Sequence, residues 1–486
     1  MVSLNGFKRL KMKQYALIIY LLLLSLSWTG CNQSSRNTTG DDTFSKAKLT
    51  DDQLLDTIQY YTFQYFYEGA ESVSGMACER YHMDGDYPQR DKNVVTSGGS
   101  GFGIMALIVG MERGFISRDE GLTHFRKIMD FLENADRYHG VCPHWWNGET
   151  GKVKPFSPKD NGGDLVETAY LAQGLYAMRQ YLRPEVPAEA EFKERIDVFV
   201  DAIEWNWHEQ DSNVLYWHWS PEFEWEMALE IRGYNECLIT YVMAASSREY
   251  AIQAETYHEG WARGGDMVGE NEKYGVILPL NHNGSREYGG PLFWAHYSYL
   301  GLDPRNLSDD YTNYWKHNVN HARINYRYCV ENPLRYKGYG ENCWGLTASY
   351  SVDSRVLEAD EKEQAELAQR YPIGYTGHSP ARDKGVISPT AALASMPYTP
   401  TESLRAAHYF YEVLGDRLMG PYGLYDAFSL EYDWFPQRYL AIDQGPIVVM
   451  IENYRTGLLW KLFMQNPEVQ EGLQRIGFKI DNQNNT

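Results

Sequence analysis

Between residues 51 and 480 the apolar positions recur with helical rather than strand periodicity. Segments 51–67, 119–135, 189–208, 311–329 and 401–414 carry apolar residues at i, i+3 and i+4 with charges between them, the pattern of helices that bury one face and hydrate the other. A second set alternates with these. Segments 98–107, 162–170, 232–238, 289–295, 387–393 and 443–449 each open on a Gly-rich, small or Pro-marked turn and then run apolar on most faces. A helix that is apolar all round is a buried one. The starts of this set lie roughly 55 to 70 residues apart, except across one wider gap that holds a loop-rich insertion at about 335–386. Six buried helices alternating with amphipathic ones predict an all-α chain, an (α/α)6 toroid (barrel) with an inner ring inside an outer ring and minor β-hairpins such as 213–219 in the connections. The spacing is too long for tetratricopeptide repeats, which recur at about 34 residues. No Pro/Ser/Gly linker breaks the run, so residues 49–480 read as a single domain.

The first 48 residues read differently. Lys8, Arg9, Lys11 and Lys13 precede a short apolar run, Tyr15 to Leu26, and then Ser27-Trp28-Thr29-Gly30-Cys31. This predicts a lipoprotein signal peptide over 1–31 with Cys31 as the acylated residue, followed by a flexible tether over 32–48. An uncleaved anchor helix is the other reading of the run. The expected location is the bacterial cell envelope, lipid-anchored in the periplasm or at the outer membrane. Loss of the basic leader takes the net charge from −20 to −24. So acidic a chain repels nucleic acid, and its contact with membrane is expected through the lipid anchor only. Five cysteines remain, an odd number without a C-x-x-C, which offers neither a disulfide framework nor zinc spacing. No metal and no cofactor is expected, and the chain reads as a monomer. Aromatic residues make up 14% of the chain, which suits a neutral oligo- or polysaccharide partner whose C–H faces stack on flat rings.

In a toroid the starts of the inner helices gather at one end, and acids cluster there. Asp164 and Glu167 share a helix face, with Asp160 in the loop just before; the same Asp-x-x-Glu is also a helix-capping box. Glu236 opens the third buried segment, where burial would raise its pKa and a helix dipole would stabilise it. Asp426 lies in the loop before the sixth, with Asp443 beyond it. Glycosidic hydrolysis needs an acid for the leaving oxygen and a base for water, so these groups are the candidates for chemistry. Trp145, Trp146, Trp217, Trp219, Trp344 and Trp434 lie in loop-like stretches near the acids and are expected to stack on sugar, with His144 orienting a hydroxyl.

Gly101-Phe102-Gly103, His144-Trp145-Trp146, Gly162-Gly163-Asp164-Leu165-Val166-Glu167-Thr168, Gly233-Tyr234-Asn235-Glu236, Gly290-Pro291-Leu292-Phe293, Gly338-Tyr339-Gly340-Glu341-Asn342-Cys343-Trp344-Gly345, Tyr425-Asp426-Ala427-Phe428 and Ile442-Asp443-Gln444-Gly445-Pro446 follow one another in this order. Together they resemble the glycoamylase-like family, glycoside hydrolase family 144. The resemblance implies an (α/α)6 barrel and inverting hydrolysis of β-1,2-glucan or β-1,2-glucooligosaccharides, endo-acting or sophorose-releasing. It also implies that Glu236 is the general acid and Asp426 the general base, with Asp160, Asp164 and Glu167 binding sugar hydroxyls or supporting the network. Two other readings share the pattern: a non-catalytic glycan-binding lipoprotein, and a polysaccharide lyase on the same toroid.

Overall fold

The computed structural model describes residues 48–480 other than Gln89 and Arg286. The signal peptide expected at 1–31, its Cys31 and the tether up to residue 47 lie outside the described residues. The chain enters its first helix through a capping box. Thr50 accepts from the Gln53 amide, and the Gln53 side chain accepts from the Thr50 amide in return. The main helices are α1 (Asp51–Tyr67), α2 (Ser97–Glu112), α3 (Arg118–Leu132), α4 (Leu165–Tyr181), α5 (Pro187–Asp201), α6 (Leu238–Ser246), α7 (Tyr314–Glu331), α8 (Glu361–Arg370), α9 (Pro389–Leu393), α10 (Pro400–His408), α11 (Ala441–Arg455), α12 (Leu458–Met464) and α13 (Pro467–Arg475).

The predicted division into two kinds of helix is observed. Every residue of α2 from Ser97 to Met111, and of α4 from Leu165 to Arg179, is buried. α3 instead buries one stripe, Gly121, Phe125, Ile128, Met129 and Leu132. The buried segments touch in succession: α2 packs on α4, α4 on α6, and α6 on the turn Tyr297–Tyr299. That turn region reaches the fifth segment through His296 Nε2 and Ser395 Oγ at 3.0 Å and through Tyr398, whose hydroxyl donates to the Ala295 carbonyl. α9 then packs on α11, and α11 packs back on α2. Outside them, α1 lies on α2 and α11, α3 on α2, α5 on α4, α13 on α6 and α10 on α9.

Two of the six expected inner helices are vestigial. Segment 289–295 forms one 3-10 turn, Leu292–Ala295, followed by a second just beyond it, Tyr297–Tyr299, and the fifth keeps only the five residues of α9. Tertiary hydrogen bonds win over helix continuation here. Ser298 Oγ accepts from the Ile239 amide and donates to the Glu236 carbonyl, and His296 reaches Ser395.

Short strands feed the long inner helices. They are β1 (Arg80–His82), β2 (Val94–Thr96), β3 (Trp145–Asn147), β4 (Gly163–Asp164), β5 (His218–Trp219), β6 (Ala348–Ser351), β7 (Gly374–Gly377) and β8 (Arg438–Leu440). β2, β4 and β8 run directly into α2, α4 and α11 and pair antiparallel with β3, β5 and β1 respectively. Each pairing pins one helix start. The 213–219 stretch thus has two partners: residues 215 to 217 bond to 229–231 as a hairpin, and β5 joins β4. The insertion is less loop-rich than expected, since β6 and β7 form a hairpin enclosing α8. Close helix packing sets the distance between α2 and α4. A Cβ on Gly101 would lie 2.2 Å from the Tyr170 carbonyl, and one on Gly174 would lie 2.2 Å from the Gly101 carbonyl. Cys78, Cys142, Cys237, Cys329 and Cys343 are buried free thiols. Among the described residues no helix is long and apolar enough to cross a membrane.

Candidate active site

The helix starts open onto a cavity of about 560 Å³. Its acids are Glu79, Glu167 and Glu236; Arg80 and His144 are its cationic groups; Trp145, Phe156, Tyr170, Trp217, Phe293, Tyr297, Tyr350 and Tyr375 give it an aromatic wall.

Asp164 organises one side. It caps α4, with Oδ1 accepting from the Val166 and Glu167 amides at 3.1 and 2.9 Å and from Trp217 Nε1 at 2.9 Å. Its Oδ2 takes His144 Nδ1 at 2.9 Å and faces His218 Nε2 at 3.6 Å. Burial alone would raise its pKa, but these donors hold the carboxyl well below the usual carboxylate range. The capping-box reading is half realised. Asp164 caps, but Glu167 does not return to the cap; it accepts from the Gly98 amide at 2.9 Å and so ties α4 to α2. Burial pushes Glu167 up to about 7. Burial would lower His144, yet Glu167, Asp164 and Asp160 outweigh it and raise the imidazole to about 10. His218 rises to about 9 in the same way, with Asp160 Oδ2 at 3.4 Å. His144, Asp160 and Asp164 each offer an atom within 4.8 Å of the others, the spacing of a metal-ligand group. Protons on the two imidazoles already balance the charge of Asp160 and Asp164.

Glu236 stands opposite this cluster in chemical character. It precedes α6 in a turn whose backbone carbonyl accepts from Ser298 Oγ and from Tyr170 Oη. Among the described residues its side chain has no charged partner, and Oε2 is buried without a hydrogen bond. Burial pushes its pKa up to about 7, so near neutrality the carboxyl holds a proton it can deliver.

Asp426 and Asp443 form a buried pair, 2% and 1% exposed. The Tyr350 amide donates to Asp426 Oδ2 at 2.7 Å, and Tyr297 Oη donates to Asp443 Oδ1 at 3.2 Å. Burial raises both; Asp426 reaches about 6, while its negative neighbour drives Asp443 well higher. Neighbouring carboxyls resist ionising together, and Asp426 Oδ1 and Asp443 Oδ2 are buried with no hydrogen-bond partner among the described residues. Neither lines the cavity directly. Tyr297 and Tyr350, which bond to Asp443 and Asp426, do line it.

Comparison with known proteins decides the family. A family model, Glycoamylase (described as "Putative glucoamylase"), matches residues 228–467. A solved structure of an endo-β-1,2-glucanase from Chitinophaga pinensis, in complex with sophorotriose and glucose, is 55% identical with a TM-score of 0.84, covering 89% of this chain and 99% of that one. The chain belongs to the glycoamylase family. An exo-β-1,2-glucooligosaccharide sophorohydrolase (non-reducing end) from Parabacteroides distasonis is 44% identical over 454 residues, 88% of this chain. This glycoamylase-family chain spans 58% of that curated relative's length. A third, an endo-β-1,2-glucanase from Talaromyces funiculosus with sophorose, is only 12% identical but shares the fold, with a TM-score of 0.60 over 88% of this chain and 92% of that one.

Of the residues expected at the site, Glu236, Glu167, His144 and Trp145 line the cavity, and Asp160 and Asp164 stand behind His144 and His218. Trp217 lines it as well, but Trp219 does not, its ring lying against Tyr138 and His139, and three further tryptophans do not reach it. Trp146 is fully buried, its Nε1 donating to the Asp136 carbonyl and its ring against Phe131. Trp344 is fully buried against Tyr326, its Nε1 on the Glu402 carbonyl. Trp434 is 3% exposed in a separate apolar cluster with Val352 and Tyr432. With no free ring face, none of the three is available for stacking. Asp443 likewise meets Tyr297 rather than the open cavity. Sequence reasoning missed Glu79, Arg80, Tyr350 and Tyr375. Arg80 bridges Glu79 at 3.4 Å and Asp91 at 3.2 Å and lies over the Trp145 ring. No local spacing marks these residues, because β1 reaches the site by pairing with β8.

Proposed function

We propose that this chain is a glycoside hydrolase cleaving β-1,2-glucan or β-1,2-glucooligosaccharides with inversion of configuration, on an (α/α)6 toroid whose inner ring is the succession of six buried segments. The observation that carries it is Glu236: a carboxyl raised to about 7, without a charged partner, on the wall of a cavity of about 560 Å³. That volume lies in the range of about 300–1,000 Å³ usual for small-molecule sites. The linkage comes from relatives named for β-1,2-glucans at 55% and 44% identity. Glu236 is the general acid that protonates the leaving oxygen. Asp426 is the base. Glu167 and His144 face the sugar hydroxyls, held by Asp164 and Asp160 behind the imidazoles, and Trp145 and Phe156 offer ring surface.

The chain acts as a monomer at the cell envelope, held by acylated Cys31. Metabolic labelling with a radioactive fatty acid tests the anchor: label in the wild type and none in Cys31→Ala supports it, and equal labelling refutes it. For the activity, the protein is incubated with linear glucans of β-1,2, β-1,3, β-1,4 and α-1,4 linkage. Sophorose or longer β-1,2 oligosaccharides released from the first alone is the expected result. Hydrolysis of another linkage without β-1,2-glucan would overturn the reading.

A further inference from the structure

The carboxylate assigned as the base is held by a closed circuit of hydrogen bonds that ends on a histidine outside the cavity. The Asp426 amide donates to the Arg438 carbonyl on β8 at 3.0 Å. Its side-chain Oδ2 accepts from the Tyr350 amide on β6 at 2.7 Å. The Tyr350 hydroxyl lies 2.7 Å from His82 Nε2. His82 sits on β1 directly across from Arg438. The circuit therefore starts and finishes on one pair of strands.

The direction of each bond follows from chemistry. His82 Nδ1 faces the Asp86 carbonyl, which can only accept, so Nδ1 carries the hydrogen. His82 is 4% exposed, and burial keeps its ring neutral. Nε2 is then a lone pair, and the Tyr350 hydroxyl donates to it. The ring is stacked on Tyr87 with centroids 4.6 Å apart and planes 12° from parallel, so it cannot turn away without breaking that contact. Arg80, Asp84 and Arg438 are the charged groups around His82; Asp443 is the one against Asp426. Tyr350 also registers opposite Tyr375, a cavity residue on β7.

We infer that His82 is a positioning residue of the hydrolytic site: by accepting the Tyr350 hydroxyl it fixes the strand whose amide holds Asp426. The inference rests on Asp426 being the base. Without His82 the β6–β7 hairpin loses this tie to β1. A misplacement of about 1 Å at a reacting group is worth up to about a hundredfold in rate. Loss of the amide donor also disfavours ionised Asp426, so the acid limb of activity moves to higher pH.

The test measures kcat, KM and the pH dependence of kcat/KM on β-1,2-glucooligosaccharides for His82→Ala, His82→Gln, Tyr350→Phe, the His82→Ala/Tyr350→Phe double variant and Asp426→Asn. His82→Ala should lower kcat between about tenfold and a hundredfold, leave KM within about twofold and raise the acid limb. His82→Gln should recover most of the rate, because its Oε1 can accept the tyrosine hydroxyl. Tyr350→Phe should match His82→Ala, and the double variant should be no worse than either, since both break one bond. Wild-type kcat and pH profile in folded His82→Ala, with Asp426→Asn inactive, overturns the positioning role alone. Losses that multiply in the double variant overturn it too. If His82→Ala does not fold, an unchanged Tyr350→Phe does the same. A fully active Asp426→Asn removes the base assignment, and the inference with it.

Discussion

Replacing Glu236 by Gln removes a proton and keeps the side chain's shape. Burial moves this carboxyl from 4.5 to about 7. Each pH unit between those values is worth about 1.4 kcal/mol, so once ionised the side chain costs the fold up to about 3 kcal/mol. Water in the cavity screens part of this, leaving about 1–2 kcal/mol. Below about pH 4.5 the group is protonated in both folded and unfolded chains and the cost vanishes; above about pH 7 it is complete. Gln cannot ionise and escapes the cost. Glu236→Gln should therefore lose activity by at least about a hundredfold, the worth of a general acid. It should also be more stable than the wild type by about 1–2 kcal/mol at pH 8, with the gap closing by pH 4. Urea unfolding at pH 4, 6 and 8 measures the gap, and reducing-sugar release measures the activity. A stability difference independent of pH would refute the account of the raised pKa; a fully active variant would refute the role as acid.

Three other outcomes follow from neighbouring geometry. Gly98→Ala puts a methyl 2.3 Å from Glu167 Oε2, so the carboxylate must leave the Gly98 amide; activity should fall at least tenfold, by about 1.4 kcal/mol of barrier, while circular dichroism stays unchanged. Glu167 does most to raise His144, and Asp164→Asn removes the next cause, the carboxylate on Nδ1, so the imidazole should fall below about 10 in an NMR titration while Glu167 still holds it up; an unchanged titration contradicts the assignment. Phe156 is 51% exposed at the cavity and Trp344 is fully buried. Phe156→Ala should raise KM with little change in stability, whereas Trp344→Ala should cost about 3–5 kcal/mol of stability and leave KM alone.

Helix periodicity identified the buried helices α2, α4 and α11 because each runs apolar on most faces after a Gly-marked start. It failed at Leu292–Ala295 and Tyr297–Tyr299, where His296 and Ser298 bond to residues far along the chain and the backbone follows them. The acids at the helix starts were legible for a related reason: Asp160, Asp164, Glu167 and Glu236 are carboxyls set against apolar segments. Loop position did not say which way a tryptophan ring faces. Trp145 and Trp146 are adjacent on β3, so their side chains point to opposite sides, one to the cavity and one to the core. Glu79, Arg80 and His82 enter through pairing with residues 438–440, which no spacing within residues 78–82 could announce.

The proposal that Glu236 and Asp426 act as an acid and a base on water is tested most directly by proton NMR during the first minutes of cleavage of a β-1,2-glucooligosaccharide. Inversion predicts that the new reducing end forms first as the α-anomer and turns into the β-anomer only by mutarotation. A β-anomer formed first would mean retention through a covalent intermediate and would contradict the account.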